Sequence, residues 1–322
     1  MKRLLMVALL VPWLAWAQPT AQGEAGKPGA AAVASAHTLA TQAGIDVLAQ
    51  GGNAFDAAVA VSSVLSVVEP ISSGLGGGGF FLLHDAKTGR DVFIDARETA
   101  PAAATPKAYL DSQGNLDRDR AENGAWAAGI PGLPAALVHV AERYGKLPLK
   151  DSLAPAIRIA REGFPVYGRF ARGYAQRSEV MERYPGTREV FLRNGRAPRE
   201  GDVFKQPELA ATLERLAKDG HAGFYRGVTA QRLLAGVKAA GGKWTAQELA
   251  GYQVKEREPL RFEYDGWDIV TAPPPSSGGI AIAQMLQILE PWDLASLPQA
   301  DRVHLIVESM RRAFRDRTFY LG

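Results

Sequence analysis

Arg97 is the side chain in this sequence best suited to gripping a small anion. It lies in Asp95-Ala96-Arg97-Glu98-Thr99-Ala100-Pro101, just after an apolar run from Val92 to Ile94. A guanidinium can fork two parallel N–H donors onto a carboxylate. At a strand end, steadied by Asp95 or Glu98, it could hold a substrate carboxylate. An ordinary ion pair with those same acids is the simpler reading, and residue chemistry alone favours it.

Ser72-Ser73-Gly74-Leu75-Gly76-Gly77-Gly78-Gly79-Phe80 is the densest glycine run. Gly74, Gly76 and Gly79 formally satisfy G-x-G-x-x-G. A dinucleotide site needs a strand before that pattern and a helix after it. Here a helical pattern precedes and a strand pattern follows, so the nucleotide reading is rejected. What remains is close approach of backbone to another backbone or to a ligand. On that evidence, structural and functional roles stand even. Pro273-Pro274-Pro275-Ser276-Ser277-Gly278-Gly279 reads as a connector in preference to a pocket lip. The five histidines are scattered without H-x-x-x-H or H-E-x-x-H spacing, which argues against a metal site. There is no G-x-S-x-G elbow. Arg311, Arg312, Arg315 and Arg317 alternate with Glu308 and Asp316 and read as a solvated, salt-bridged helix face.

Local patterns supply the elements that must position these residues. Ala31 to Ser35 is a short strand candidate, and Thr38 to Gln50 is a helix stopped by Gly51-Gly52. Asn53 caps a buried Ala/Val-rich helix reaching about Val68, with Asp56 in its first turn. Phe80–Leu83 and Val92–Ile94 form a hairpin about Lys87-Thr88-Gly89. Helices follow from Pro131 to Arg143, Ser152 to Arg161, Glu208 to Lys218 and Thr229 to Ala240. Thr245-Ala246-Gln247-Glu248 is a capping box. Asp265-Gly266 closes a second hairpin between Arg261–Tyr264 and Trp267–Thr271. Ile280–Leu289 and Asp301–Phe319 close the chain as helices. The expected class is α+β, with helices covering hairpin-built sheet.

The chain has 322 residues, 47% hydrophobic and 22% charged, with a net charge of +3. That is globular composition, long enough for a sizeable core. No sustained basic stripe marks a nucleic-acid footprint. The absence of cysteine removes disulfides, thiol nucleophiles and Cys-type zinc sites. Met1 to Ala17 joins a basic start (Lys2, Arg3) to an uncharged apolar stretch and ends in Ala15-Trp16-Ala17. It reads as a signal peptide cleaved after Ala17, which makes the mature protein periplasmic or secreted. Residues 18–30 read as a flexible lead-in.

Taken together, several segments resemble the γ-glutamyltranspeptidase family. They are Val33-Ala34-Ser35-Ala36-His37, Gly51-Gly52-Asn53-Ala54-Phe55-Asp56-Ala57-Ala58, Ser73-Gly74-Leu75-Gly76-Gly77-Gly78-Gly79-Phe80, Arg97-Glu98-Thr99-Ala100-Pro101, Pro131-Gly132 and Pro273 to Gly279. They stand in the family's order, and the resemblance runs over residues 31–322.

The resemblance implies an Ntn-hydrolase fold, a four-layer αββα sandwich left incomplete by this large-subunit portion. It implies an exported precursor that cuts itself in two, with the new N-terminal threonine of the small subunit as nucleophile and its own amine as base. It further implies transfer of a γ-glutamyl group from glutathione or other γ-glutamyl compounds to water, amino acids or peptides, with no cofactor. Arg97 matches the family arginine that pairs with the substrate α-carboxylate, which reverses the preference for a simple ion pair. Glu98 is expected to support it.

No segment resembles the family's Thr-Thr-His stretch, and Thr245 and Thr271 are each followed by alanine. This chain alone is therefore expected to be inactive, and either poorly soluble or dependent on a partner, the small subunit. The alternatives are a related Ntn acylase, of the cephalosporin or polyglutamate-capsule kind, or a non-catalytic γ-glutamyl-binding remnant.

Overall fold

The computed structural model describes residues 31–192 and 194–321, and residues 33–322 form one compact unit. The signal peptide and nearly all of the lead-in lie outside the described residues.

Helix α1 (Thr38–Ala49) is capped by His37, whose ring nitrogen accepts from Leu39 N–H. Helix α2 (Ala54–Val68) opens on a full capping box. Asn53 accepts from Phe55 and Asp56 N–H, and Asp56 accepts from Asn53 N–H. The Asp56 carboxylate is fully buried and also takes Lys146 and Leu147 N–H, while Asn53 Nδ2 donates to Tyr144 O. The Gly-Gly-Asn-Ala-x-Asp motif thus ties the start of α2 to a chain segment some 90 residues away.

Strands β1 (Gly79–Asp85) and β2 (Arg90–Ala96) form the first hairpin, in register from Gly79↔Ala96 to Asp85↔Arg90. The short helix α3 (Arg118–Glu122) follows. Helices α4 (Leu133–Tyr144) and α5 (Leu149–Glu162) then pack with α2. Beyond strand β3 (Phe164–Pro165) come helices α6 (Gly168–Glu182) and α7 (Pro185–Phe191). Strand β4 (Val203–Phe204) pairs with β3, ahead of helices α8 (Pro207–Asp219), α9 (His221–Tyr225), α10 (Gly227–Ala239) and α11 (Ala246–Ala250). Strand β5 (Lys255–Arg257) joins the first sheet antiparallel to β2, giving the order β1-β2-β5.

Strands β6 (Leu260–Tyr264) and β7 (Trp267–Thr271) make the second hairpin. Asp265 (φ 49°) and Gly266 (φ 75°) both take the left-handed conformation that a two-residue type I′ turn requires. Helices α12 (Gly278–Leu289) and α13 (Gln299–Tyr320) end the chain as an antiparallel pair.

The core runs between α2, α4, α5 and α8, through Val64, Val67, Leu137, Leu153, Leu213 and Leu216, all fully buried. Within the same core, Phe164, Phe170, Tyr174, Phe191 and Phe204 form an aromatic group, with Phe164 edge-on to Phe170 and the Phe170–Tyr174, Tyr174–Phe191 and Phe191–Phe204 pairs stacked. Aromatic pairs of this kind contribute beyond their buried area.

Two expectations need correction. Ala31 to Ser35 forms no strand: Val33 packs beside Gly44 of α1, while Ala31, Ala32 and Ala34 stay exposed. Pro131 is not in the first turn of α4, which starts at Leu133 with Pro134 in that turn. The segment before it is drawn into the loop beside the first sheet, where Ile130 pairs with Thr99. Helix α6 was not legible in the sequence, since only Phe170 and Tyr174 of its fifteen residues are buried and its face carries no clear apolar period.

Candidate active site

The end of β2 is the point where four distant segments converge. Its last residues, Asp95 and Ala96, are buried, and the chain then emerges with Arg97 and Glu98 exposed. Both peptide groups flanking Arg97 are pinned. Its N–H donates to Asp95 Oδ1 at 3.1 Å, and its carbonyl accepts from the Tyr252 hydroxyl at 2.9 Å. Asp95 is itself held by Arg257, whose Nε lies 2.9 Å from Oδ2. The pair follows from the register, since Asp95 faces Lys255 and the side chain two residues on reaches diagonally across the strands.

The Arg97 side chain is treated differently from its backbone. Nη1 donates to Pro275 O at 3.3 Å, and among the described residues no carboxylate pairs with the guanidinium. The Pro273–Gly279 segment is the expected connector between β7 and α12, and it also brings a carbonyl to the arginine. Ser276 Oγ accepts from Gly278 N–H, and Ser277 Oγ accepts from Arg317 Nε.

Glu98 does not bind Arg97. Its Oε1 accepts from Gly78 N–H at 2.7 Å and so pins the glycine run. That run lies between α2 and β1, the order that excludes a dinucleotide loop. Its glycines are unequal. A Cβ on Gly78 would sit 2.5 Å from Ala96 O and 2.8 Å from Glu98 N, whereas Gly74 and Gly76 face open space. Gly77 O receives N–H donors from both Gly132 and Leu133, so the run also anchors the start of α4. Gly132 is just as constrained. A Cβ there would lie 2.0 Å from Ala96 O and 2.3 Å from the Tyr252 hydroxyl.

Beside this junction opens a cleft of about 550 Å³, lined by Ile71, the glycine run, Glu98, Phe191 and Leu209. Sequence reasoning singled out Arg97, Glu98, the glycine run, Pro131-Gly132 and Pro273–Gly279, and all of them meet here. It missed Tyr252 and Arg257, which no local motif marks.

The class of this architecture is defined by its likenesses among solved structures. The crystal structure of Helicobacter pylori γ-glutamyltranspeptidase matches with a TM-score of 0.88 and 38% identity, over 91% of this chain and 84% of that one. The cephalosporin acylase of Bacillus halodurans matches with a TM-score of 0.78 and 33% identity, over 86% of this chain and 52% of that one. The fold is of the α+β Ntn-hydrolase class expected from the sequence, with the sandwich incomplete among the described residues.

A family model described as γ-glutamyltranspeptidase matches residues 40–322, and the chain belongs to that family. The glutathione hydrolase proenzyme of Bacillus subtilis (strain 168) is 39% identical over 305 residues, which is 94% of this chain and 51% of the relative. The chain thus spans about half the length of the curated relatives it matches.

Proposed function

We propose that this protein is the large-subunit part of an exported enzyme that transfers γ-glutamyl groups from glutathione and other γ-glutamyl amides to water, amino acids or peptides. The observation that carries the reading is the state of Arg97. Its backbone is fixed on both sides while its guanidinium has only one long contact to a carbonyl and no acidic partner. An arginine presented in this way is prepared for an external carboxylate, and a γ-glutamyl group offers one on its α-carbon. The fork then orients the γ-carbonyl by a charge-assisted, bidentate contact. Glu98 supports the site indirectly, by holding Gly78 and the wall of the adjoining cleft.

The chemistry is acyl transfer through a threonine outside this half. Its hydroxyl attacks the γ-carbonyl and gives its proton to the threonine's own α-amine. The C–N bond breaks, the departing amine takes that proton, and an ester joins the γ-glutamyl group to the threonine oxygen. Water or an acceptor amine then cleaves the ester. The small subunit, cut from the same precursor, supplies the threonine and the oxyanion donors. No cofactor enters. The signal peptide at residues 1–17 directs the precursor to the periplasm or the medium.

The test compares γ-glutamyl p-nitroanilide with 4-aminobutanoyl p-nitroanilide, which lacks the α-carboxylate, in the assembled two-subunit enzyme. Arg97→Ala should raise KM for the first about 10- to 100-fold, the worth of a charge-assisted pair, and leave the second unchanged. Equal losses on both substrates would sink the assignment. Residues 18–322 alone should release no p-nitroaniline.

The likeness to a cephalosporin acylase favours one second reading, an acylase of related fold. Glutaryl amides keep the carboxylate and lack the α-amine, so an enzyme that prefers them to glutathione would be of that kind.

A further inference from the structure

Residues 245–257 embrace the strand end that carries Arg97. Glu248, the acid of the α11 capping box, accepts from Ala102 N–H at 2.6 Å beyond the arginine. Arg257 holds Asp95 before it, and β5 pairs with β2 alongside. Between these two anchors, Tyr252 reaches Arg97 itself.

Tyr252 is held from several sides. It is 5% exposed, and its ring lies parallel to that of Tyr225 at 5.6 Å. Tyr225 is fixed in turn, donating to Pro131 O and accepting from Ala135 N–H, and it stacks on His221. His221 Nε2 lies 2.8 Å from the Tyr252 carbonyl. Burial pushes the Tyr252 phenol above its ordinary range, with Asp95 and Glu98 adding to the effect, so it remains a proton donor at neutral pH. Gly132 leaves the room the hydroxyl needs.

We infer that Tyr252 is a positioning residue for Arg97: its hydroxyl, donating to the Arg97 carbonyl, sets where the guanidinium meets the substrate carboxylate. The inference rests on the reading of Arg97 given above. Its physical basis is that two peptide planes meet at the arginine Cα. Asp95 orients the first plane through the N–H, and Tyr252 orients the second through the carbonyl. Together they fix the direction in which the side chain leaves the backbone. Without the second anchor the arginine keeps its charge and loses its aim. That costs binding of the carboxylate and leaves the acyl-transfer step itself intact.

The experiment uses the assembled two-subunit enzyme. Tyr252→Phe keeps the ring stack and deletes the hydroxyl. It should raise KM for γ-glutamyl p-nitroanilide about three- to tenfold, the range of one net hydrogen bond. It should change kcat by less than about twofold, and leave 4-aminobutanoyl p-nitroanilide unaffected. In an Arg97→Ala background, Tyr252→Phe should raise KM no further, because the tyrosine acts through the arginine. Replacing Tyr252 with 4-aminophenylalanine, which keeps a donor at similar reach, should hold KM near the wild-type value even if the phenylalanine variant does not fold.

A raised KM in Arg97→Ala with an unchanged KM in Tyr252→Phe would overturn the inference alone. So would equal effects of Tyr252→Phe on both substrates, or a KM in the 4-aminophenylalanine enzyme as high as in Arg97→Ala. An unchanged KM in Arg97→Ala would overturn the reading of Arg97, and this inference with it.

Discussion

Two residues of the family motifs use their side chains in opposite ways. Arg97 owes its availability to neighbours that take up its backbone groups and leave its guanidinium without an acid. His37 does the opposite and spends its own side chain on a helix end. Its Nδ1 accepts from Leu39 N–H, which only the unprotonated nitrogen can do. Burial lowers its pKa below the usual 6.5, with Glu69 opposing. A lowered folded-state pKa means that the unfolded chain takes up the proton first as pH drops. The stabilisation is therefore complete above the unfolded value and fades as the pH falls through the folded one. Thermal melts between about pH 8 and about pH 5 should show a declining Tm. His37→Asn, a cap that does not titrate, should flatten that decline. An unaltered slope in the variant would remove His37 as its source.

At the scale of elements, the glycine run is one motif with several jobs. Gly78 is where the loop crosses Ala96 and Glu98, and all three of its closest contacts are backbone atoms. Gly77 supplies the carbonyl that starts α4. A Cβ on Gly76 would meet nothing within 4 Å, and its φ is not in the left-handed region. Gly78→Ala should therefore destabilise by about 2–3 kcal/mol or more through overpacking. Gly76→Ala should be neutral, or stabilise by up to about 1 kcal/mol through the unfolded chain. Denaturant titrations of the two variants check this, and similar midpoints would show that the crossing is softer than its distances imply. The Gly-Gly-Asn-Ala-x-Asp motif is likewise structural in its contacts, since Asp56 spends its buried carboxylate on three backbone N–H groups.

At the scale of the whole molecule, the C-terminal helix carries an unusual surface. Val303, Val307, Met310 and Phe314 recur at helical spacing and are each between 42% and 51% exposed. The buried residues of α13, Ser309 and Ala313, are small and lie on another face. Ordinary soluble surfaces rarely carry so continuous an apolar stripe. Under the proposed two-subunit organisation, this is surface the small subunit would cover. Residues 18–322 expressed alone should bind a hydrophobic dye and self-associate as concentration rises. Val307→Glu with Phe314→Glu should reduce both effects without changing the far-ultraviolet circular dichroism. A monodisperse chain with no dye binding would count against this reading.

What the sequence determined by itself was set by contacts within a few residues. The Asn53 and Thr245 capping boxes, the Asp265-Gly266 turn and both long hairpins are local hydrogen-bond and φ requirements, so residue type and spacing reveal them. The family motifs were legible for the same reason, as short strings. What only the tertiary structure decided depends on which distant groups share a space. Nothing near Tyr252 announces that it meets a carbonyl 155 residues earlier. The partner of Glu98 proved to be a glycine N–H and not the adjacent arginine. Nor does a run of identical glycines say which one has no room for a Cβ. Local conformational preference is written residue by residue along the chain. Proximity between segments arises only when the whole core packs, and the site is made of such proximities.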